Sequence, residues 1–315
     1  MILDLPSIVR EMIPDIVGQA ATSVACIQCT HTIYLVFKNG TTHPTCVVKV
    51  GPAEAMEALY GEMLALHRIL PDLTATPLCC KRLNADQALL FQQGLPGMPF
   101  FQMGKRIRTK KAWIDLRSRS VAVLDRLHAA VMNEPRYQRT IDPMRQLRKV
   151  AQRCRDSQIE LSSTVLRFID LSCERLASLG DIQSHWQHGD FCINNLLFAE
   201  QGETIIDFDD FGVMAMPMAD HFGLALSVNE LASEATRWSS LDDDISVCLH
   251  NARQHWPMIE DDHLAGLLLY YLLWSLNGSW ALPRRARKNA QLIELISVLS
   301  EVPDRLIAGR HLVAS

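Results

Sequence analysis

Between His188 and Gly212 the chain reads HGDFCINNLLFAEQGETIIDFDDFG, a span with six carboxylates and neither lysine nor arginine. The acids alternate with Ile, Leu and Phe, which draw the backbone toward a core, and half-buried carboxylates without basic partners repel one another. A cation among them removes the conflict. Asp190, Asn195 and Asp207 offer hard oxygen atoms of the kind Mg²⁺ takes, an ion that uses few protein ligands and completes its shell with water and phosphate oxygens. An aspartate held beside such an ion can orient a hydroxyl and accept its proton. Phosphoryl transfer uses this set, together with a strand lysine and a helix glutamate that hold nucleotide phosphates. Lys49, in TCVVKVG, and Glu62, in the following helical segment, have those residue types in that chain order.

The segments around these residues have the periodicities needed to present them. SVACIQ, TIYLVF and TCVVKV read as three short strands, with Val48 and Val50 pointing away from the face of Lys49. From Pro52 to Leu70 the residues Met56, Leu59, Met63, Leu66 and Leu70 recur at helical spacing. At about 100° per residue, Glu62 lies beside that stripe, whereas Glu54 and Glu57 lie on the far side. Glu62 is therefore the expected partner of Lys49, with Glu57 as its substitute. QALLFQ (87–92) reads as a further strand. NLLF and TIIDF around AEQGE read as a β-hairpin, which centred near Gln201 sets Asn195 opposite Asp207 at its open end. Residues 121–131, 144–179, 221–232 and 263–300 favour helix.

The bulk composition excludes several classes. The chain has 315 residues, 48% hydrophobic and 21% charged, with a formal net charge of −4. That is globular composition with room for two lobes and without the basic face that nucleic-acid binding asks for. Nine irregularly placed cysteines read as reduced thiols in a cytoplasm rather than as a disulfide framework. Leu264–Leu276, the longest apolar run, is too short to span a bilayer and reads as a buried helix. The sharpest break is QQGLPGMP, where Gly94, Pro96, Gly97 and Pro99 argue against regular structure. The boundary is placed there: residues 1–94 as an N-terminal lobe and 95–315 as a C-terminal lobe.

With these residues in view, the chain resembles the aminoglycoside phosphotransferase-like kinases, relatives of choline and homoserine kinases. HGDFCINN matches that family's H-G-D-x-x-x-x-N loop, and IIDFDDFG looks like its metal-binding segment. LLFQQGLPGMPF is similar to the segment joining the family's lobes, and VAVLDRLHAAV to a helix that ends in Leu-His. The resemblance implies an α+β, protein-kinase-like two-lobed fold: a small nucleotide-binding lobe of β-sheet plus helix, and a larger, mainly helical catalytic and acceptor-binding lobe. It implies a kinase that moves the γ-phosphate of ATP, or of GTP, to a hydroxyl of a small molecule with Mg²⁺. A protein kinase and a non-catalytic nucleotide-binding regulator are the alternatives.

Carried over residue by residue, Asp190 resembles the catalytic base, Asn195 and Asp207 the metal ligands, and Lys49 with Glu62 the phosphate-holding pair. His188 resembles the histidine that braces the loop and Asp220 a structural aspartate at the start of the next helix; Asp209 is expected either as a further metal ligand or as a residue bonded to one. Adenine is expected at the backbone of Phe91, Gln92 and Gln93. The connection QCTHT has no glycine, so the phosphates are expected to be covered by backbone amides and the hydroxyls of Thr30 and Thr32. Nine acids between Asp220 and Asp262, against Arg237 and Arg253, suggest an amine-bearing, cationic acceptor such as an antibiotic or metabolite.

Overall fold

The computed structural model describes residues 5–17, 22–28, 31–103, 107–235, 241–280, 282 and 285–301. Thr30, expected at the phosphates, lies outside them. The chain forms two compact units. The first is Met1–Arg106 with Asn194–Asp209, and the second is Ile107–Ile193 with Asp210–Ser315.

The first unit opens with α1 (Leu5–Met12) and α2 (Pro14–Val17) and continues through β1 (Thr22–Gln28), β2 (Thr32–Lys38) and β3 (Cys46–Pro52). Then come α3 (Ala53–Ile69), β4 (Pro77–Arg82), β5 (Gln87–Gln93), β6 (Met98–Pro99) and α4 (Phe100–Met103). An antiparallel sheet is built in the order β1-β2-β3-β5-β4. Strand alternation divides its side chains between two cores. Val36, Cys46, Val48, Leu89 and Phe91 pack on one face against Leu5, Val9 and Ile13. Ala88 and Leu90 pack on the other face against Ala53, Met56 and Met63 of α3. The expected stripe of α3 is thus the buried one, and Glu62 beside it is half-buried while Glu54 and Glu57 are exposed.

The chain then enters the second unit with α5 (Lys110–Met132), β7 (Gln138–Ile141), α6 (Pro143–Asp156), α7 (Ser163–Ala177) and β8 (Ile182–His185). The helical pattern expected over 144–179 is interrupted between α6 and α7. Gln158 adopts a left-handed φ of 57°, and the Ser162 hydroxyl accepts the Val165 N–H to start a new helix. After the loop of residues 186–193 the chain supplies the first unit with β9 (Leu196–Ala199) and β10 (Gly202–Ile205). This is the expected hairpin, and Met98 and Pro99 of β6 pair with Phe198 and Leu197 of β9. Pro99 is therefore in a strand, though a two-residue one, and β6 lies on the edge of its sheet, where proline is tolerated.

The second unit is completed by α8 (Ala219–Ala235), α9 (Leu241–Ala252), α10 (Asp261–Ser279) and α11 (Ala286–Glu301). α10 contains the long apolar run and is buried on nearly all sides, from Leu264 to Leu276. Among the described residues, no helix is long and apolar enough to cross a membrane.

Candidate active site

In the first unit, the β2–β3 register pairs Ile33 with Lys49, and the β3–β5 register pairs Lys49 with Leu90, so the lysine projects on the α3 face of the sheet. Only 4% of Lys49 is exposed, and its Nζ donates to Asp207 Oδ1 and to Asp209 Oδ1 at 2.6 Å each. Burial works against the ammonium, but the charges of the two carboxylates and their hydrogen bonds outweigh it and hold the lysine above its ordinary pKa. Lys49 therefore stays charged and offsets part of the acid excess that the sequence leaves without a basic neighbour.

The hairpin delivers these acids one residue away from the expected register. Ala199 pairs with Gly202 across the two-residue loop Glu200–Gln201, so Leu196 faces Ile205. The Ile206 N–H then donates to the Asn195 carbonyl at 2.9 Å, and Asn195 stands opposite Ile206 rather than Asp207. Asp207 follows with a left-handed φ of 68°, a conformation aspartate tolerates better than most residues. The turn it makes leads into the short 3₁₀ segment Phe208–Asp210, and Asp207 and Asp209 both reach Lys49. The sequence points to Asp209 as a metal ligand or a residue bonded to one; its bond to Lys49 is found only in the structure. Glu57, the substitute partner, is engaged elsewhere, with both carboxylate oxygens on Arg82.

Phe91 and Gln92 are buried in β5, whereas Gln93 is exposed. The Gln93 N–H donates to the Thr76 carbonyl at 2.8 Å, which commits one of the backbone donors in the segment expected to meet adenine.

In the second unit, the loop HGDF is fixed from beneath by Asp220 at the start of α8. Its Oδ2 accepts the His188 N–H at 2.7 Å and its Oδ1 the Gly189 N–H at 3.0 Å. Gln187 locks the other side: its Oε1 accepts the Asp220 N–H at 2.9 Å, and its amide nitrogen donates to the Met216 carbonyl. The Ile193 N–H donates to Ser227 Oγ at 3.0 Å and closes the far end. Gly189 is required here, because its φ is +86° and a Cβ would stand 2.4 Å from the Asp210 carbonyl oxygen. The His188 ring is buried edge-on to Phe191, with ring centroids 5.6 Å apart. Asp190, the next residue after Gly189, is exposed on this braced loop. Gln187 and Ser227 were not singled out in the sequence; only the adjacency of Gln187 to the motif could have drawn attention to it.

Behind Asp220 lies a group of buried histidines. His128 Nε2 is 3.6 Å from Asp220 Oδ2, and His128 Nδ1 is 2.7 Å from His185 Nε2, so one of those two nitrogens donates and the other accepts. His221 stacks on His128 at 4.9 Å, and His185 stacks on Trp256 at 4.9 Å with 7° between planes. Asp125 faces His221 at 3.8 Å and His255 at 3.6 Å. Burial, reinforced by neighbouring histidines, holds His128 well below its ordinary pKa and His185 down to about 3. Burial also lowers His221, against the pull of Asp125. Asp220 moves the other way: burial pushes its carboxyl up to about 7, against the two N–H donors.

Among the described side chains, four of the acids from Asp220 onward have partners. Asp220 holds the loop, Asp244 accepts from Arg117 at 2.8 Å, Asp261 pairs with Arg253, and Glu260 and His263 cap α10 reciprocally.

The profile of the phosphotransferase enzyme family matches residues 34–237. No curated protein matches the chain by sequence. Among solved structures, a Ralstonia eutropha protein assigned as an aminoglycoside phosphotransferase superposes with a TM-score of 0.67 at 13% identity, covering 96% of this chain and 98% of that one. The aminoglycoside phosphotransferase APH(4)-Ia, in a ternary complex with ADP and hygromycin B, gives 0.64 at 11% identity, over 94% and 98%. A glucosamine kinase in complex with glucosamine, ADP and inorganic phosphate gives 0.56 at 15% identity, over 89% and 76%. At such identities the likeness establishes the fold, which is the α+β protein-kinase-like one.

Proposed function

The chain belongs to the phosphotransferase enzyme family and is a small-molecule kinase, and from that premise we propose that it moves the γ-phosphate of ATP, or of GTP in its place, to a hydroxyl of an amine-bearing small molecule. The observation that carries the reading is the Lys49 ammonium, buried in the sheet and held at 2.6 Å by both Asp207 and Asp209. A buried lysine kept charged between two carboxylates is poised to exchange one anion for another, and nucleotide phosphates are the anions this arrangement suits.

The donor set fits a magnesium ion that arrives with the nucleotide. Among the described residues no three His, Cys, Asp or Glu side chains are grouped to hold an ion alone. Mg²⁺ in kinase sites asks instead for one or two carboxylates and takes its remaining ligands from phosphate and water. Asp207 and Asn195 are the residues proposed to hold it, with Asp209 beside them, and when bound it supplies charge neutralisation for the phosphates.

Asp190 is proposed as the base that accepts the proton of the acceptor hydroxyl as its oxygen attacks the γ-phosphorus. Lys49 then holds the phosphates of the donor, and Glu62 of α3 is retained as its helix partner. The backbone of Phe91, Gln92 and Gln93 is proposed to meet the base of the nucleotide. The Asp220 and Gln187 bonds fix the loop so that Asp190 is presented in one conformation, which a positioned base requires.

The amine in the acceptor is supported by hygromycin B and glucosamine, the ligands of the two similar kinases. The acids between Asp220 and Asp262 support it less, because four of them have partners within the second unit. The experiment is a screen of amino sugars, aminoglycosides and other hydroxyl-bearing amines for nucleotide consumption, with product mass as the second readout. Gain of one phosphoryl group on an amine-bearing compound supports the reading. Nucleotide hydrolysis without transfer to any compound, or transfer only to neutral or anionic compounds, contradicts it.

A further inference from the structure

His31 has no part in the reading above. It closes the connection between β1 and β2, the glycine-free segment QCTHT. The β2–β3 register pairs Thr32 with Val50 and Ile33 with Lys49. Continued by one step it sets His31 opposite Gly51, and the two-residue period of a strand puts His31 on the face that carries Lys49. Gly51 leaves room for the ring: a Cβ there would stand 3.3 Å from His31 Nδ1. The other ring nitrogen, Nε2, lies 3.6 Å from Asp209 Oδ2, while Asp209 Oδ1 accepts from Lys49 at 2.6 Å. One carboxylate thus gathers a strand ammonium and a loop imidazole side by side.

We propose that His31 is a nucleotide-phosphate ligand, its Nε2–H donating to the phosphate chain that Lys49 holds. The proposal rests on the phosphotransferase reading and deepens it. Glycine in a phosphate-covering loop lets backbone amides come close to the phosphate oxygens. QCTHT has no such residue, and a side-chain N–H reaches past the Cβ that keeps an amide at a distance. Asp209 readies the imidazole for the task. From 3.6 Å the negative charge of Asp209 favours the tautomer with the proton on Nε2. An arriving polyphosphate then competes with Asp209 for both donors at once. Its several charged oxygens allow it to take the Nε2–H and the ammonium together. No covalent bond to His31 forms in this role.

The test measures binding rather than turnover. The full chain with Mg²⁺ is titrated in a calorimeter with a non-hydrolysable ATP analogue and, separately, with adenosine, for the wild type and His31→Leu. Should Leu disturb the fold, as a lowered melting temperature shows, His31→Ser, too short to reach, makes the same comparison. Loss of a hydrogen bond to a charged group weakens the analogue roughly 10- to 100-fold. Adenosine, which lacks phosphates, keeps its wild-type affinity. An analogue affinity that survives the substitution, or one that falls together with that of adenosine, overturns the proposal and leaves the kinase reading standing. A wild-type chain that binds neither compound overturns the kinase reading, and this inference with it.

Discussion

Acidification is expected to unfold the second unit through its buried histidines. His128, His185 and His221 all lie below their ordinary pKa in the folded chain, and burial is the main cause. Each therefore stays neutral when folded and takes a proton near pH 6.5 once exposed. The stability these groups contribute is complete above pH 6.5 and is lost as pH falls toward about 3. Asp220 opposes them. With its carboxyl raised to about 7, it carries a proton in the folded chain that the unfolded chain binds only near 3.8. Its contribution is complete below 3.8 and is lost as pH rises through about 7. Asp125 is held below its ordinary value, so its effect falls beneath this window. Near pH 5 His128 and His185 each take up a proton on unfolding and Asp220 releases one, while His221 adds to the uptake, so at least one proton is bound net. That corresponds to a slope of at least about 1.4 kcal/mol per pH unit near pH 5. Domains have about 5–15 kcal/mol in all. The assay is urea unfolding at half-unit pH intervals, followed by tryptophan fluorescence. All six tryptophans lie beyond residue 106, so the signal reports on the second unit. His185→Phe, which keeps a ring against Trp256, is expected to lower the slope by about 1.4 kcal/mol per pH unit. A stability that stays level between pH 6.5 and 4.5, or an unchanged slope in that variant, refutes the reasoning.

Three further substitutions follow from the site. Asp207→Ala and Asn195→Ala are expected to raise the Mg²⁺ concentration needed for half-maximal activity at least tenfold, since hard-oxygen ligands set that affinity; a Mg²⁺ titration unchanged in both removes them as ligands. Asp220→Ala strands the N–H groups of His188 and Gly189, at about 1–3 kcal/mol each. It is expected to lower both the melting temperature and kcat, and a wild-type value of either shows that the clamp does not hold the loop.

Much of the site was legible because it depends on local periodicity. Strand alternation put Lys49 on the face opposite Val48, and helical spacing separated half-buried Glu62 from exposed Glu57. The hairpin was legible as well, but its register was not. A two-residue loop and a three-residue loop read alike in AEQGE, and the difference moved Asn195 from Asp207 to Ile206. Contacts that depend on long separations left no periodic mark. The bond between Lys49 and Asp209 spans 160 positions, and the return of the β9–β10 hairpin to the first unit uses a two-residue pairing with β6 and the Ile205 N–H bond to the Leu73 carbonyl. β4 was missed because PLCCKR begins with proline and ends in two cations. α1 is short, and its Leu5 and Val9 acquire meaning only once Phe91 and Val48 are beneath them.

The central claim is that Asp190 accepts the proton of an acceptor hydroxyl, and Asp190→Asn measures it most directly. Asparagine keeps the size of the side chain and removes its basicity. With an acceptor from the screen in hand, steady-state kinetics of this variant should show kcat lower by about 10²–10⁴, the ordinary worth of a positioned base. Calorimetry with the non-hydrolysable ATP analogue should show wild-type affinity, because the loss lies in the transfer step. Near-normal turnover in Asp190→Asn, with nucleotide bound as before, would contradict the account.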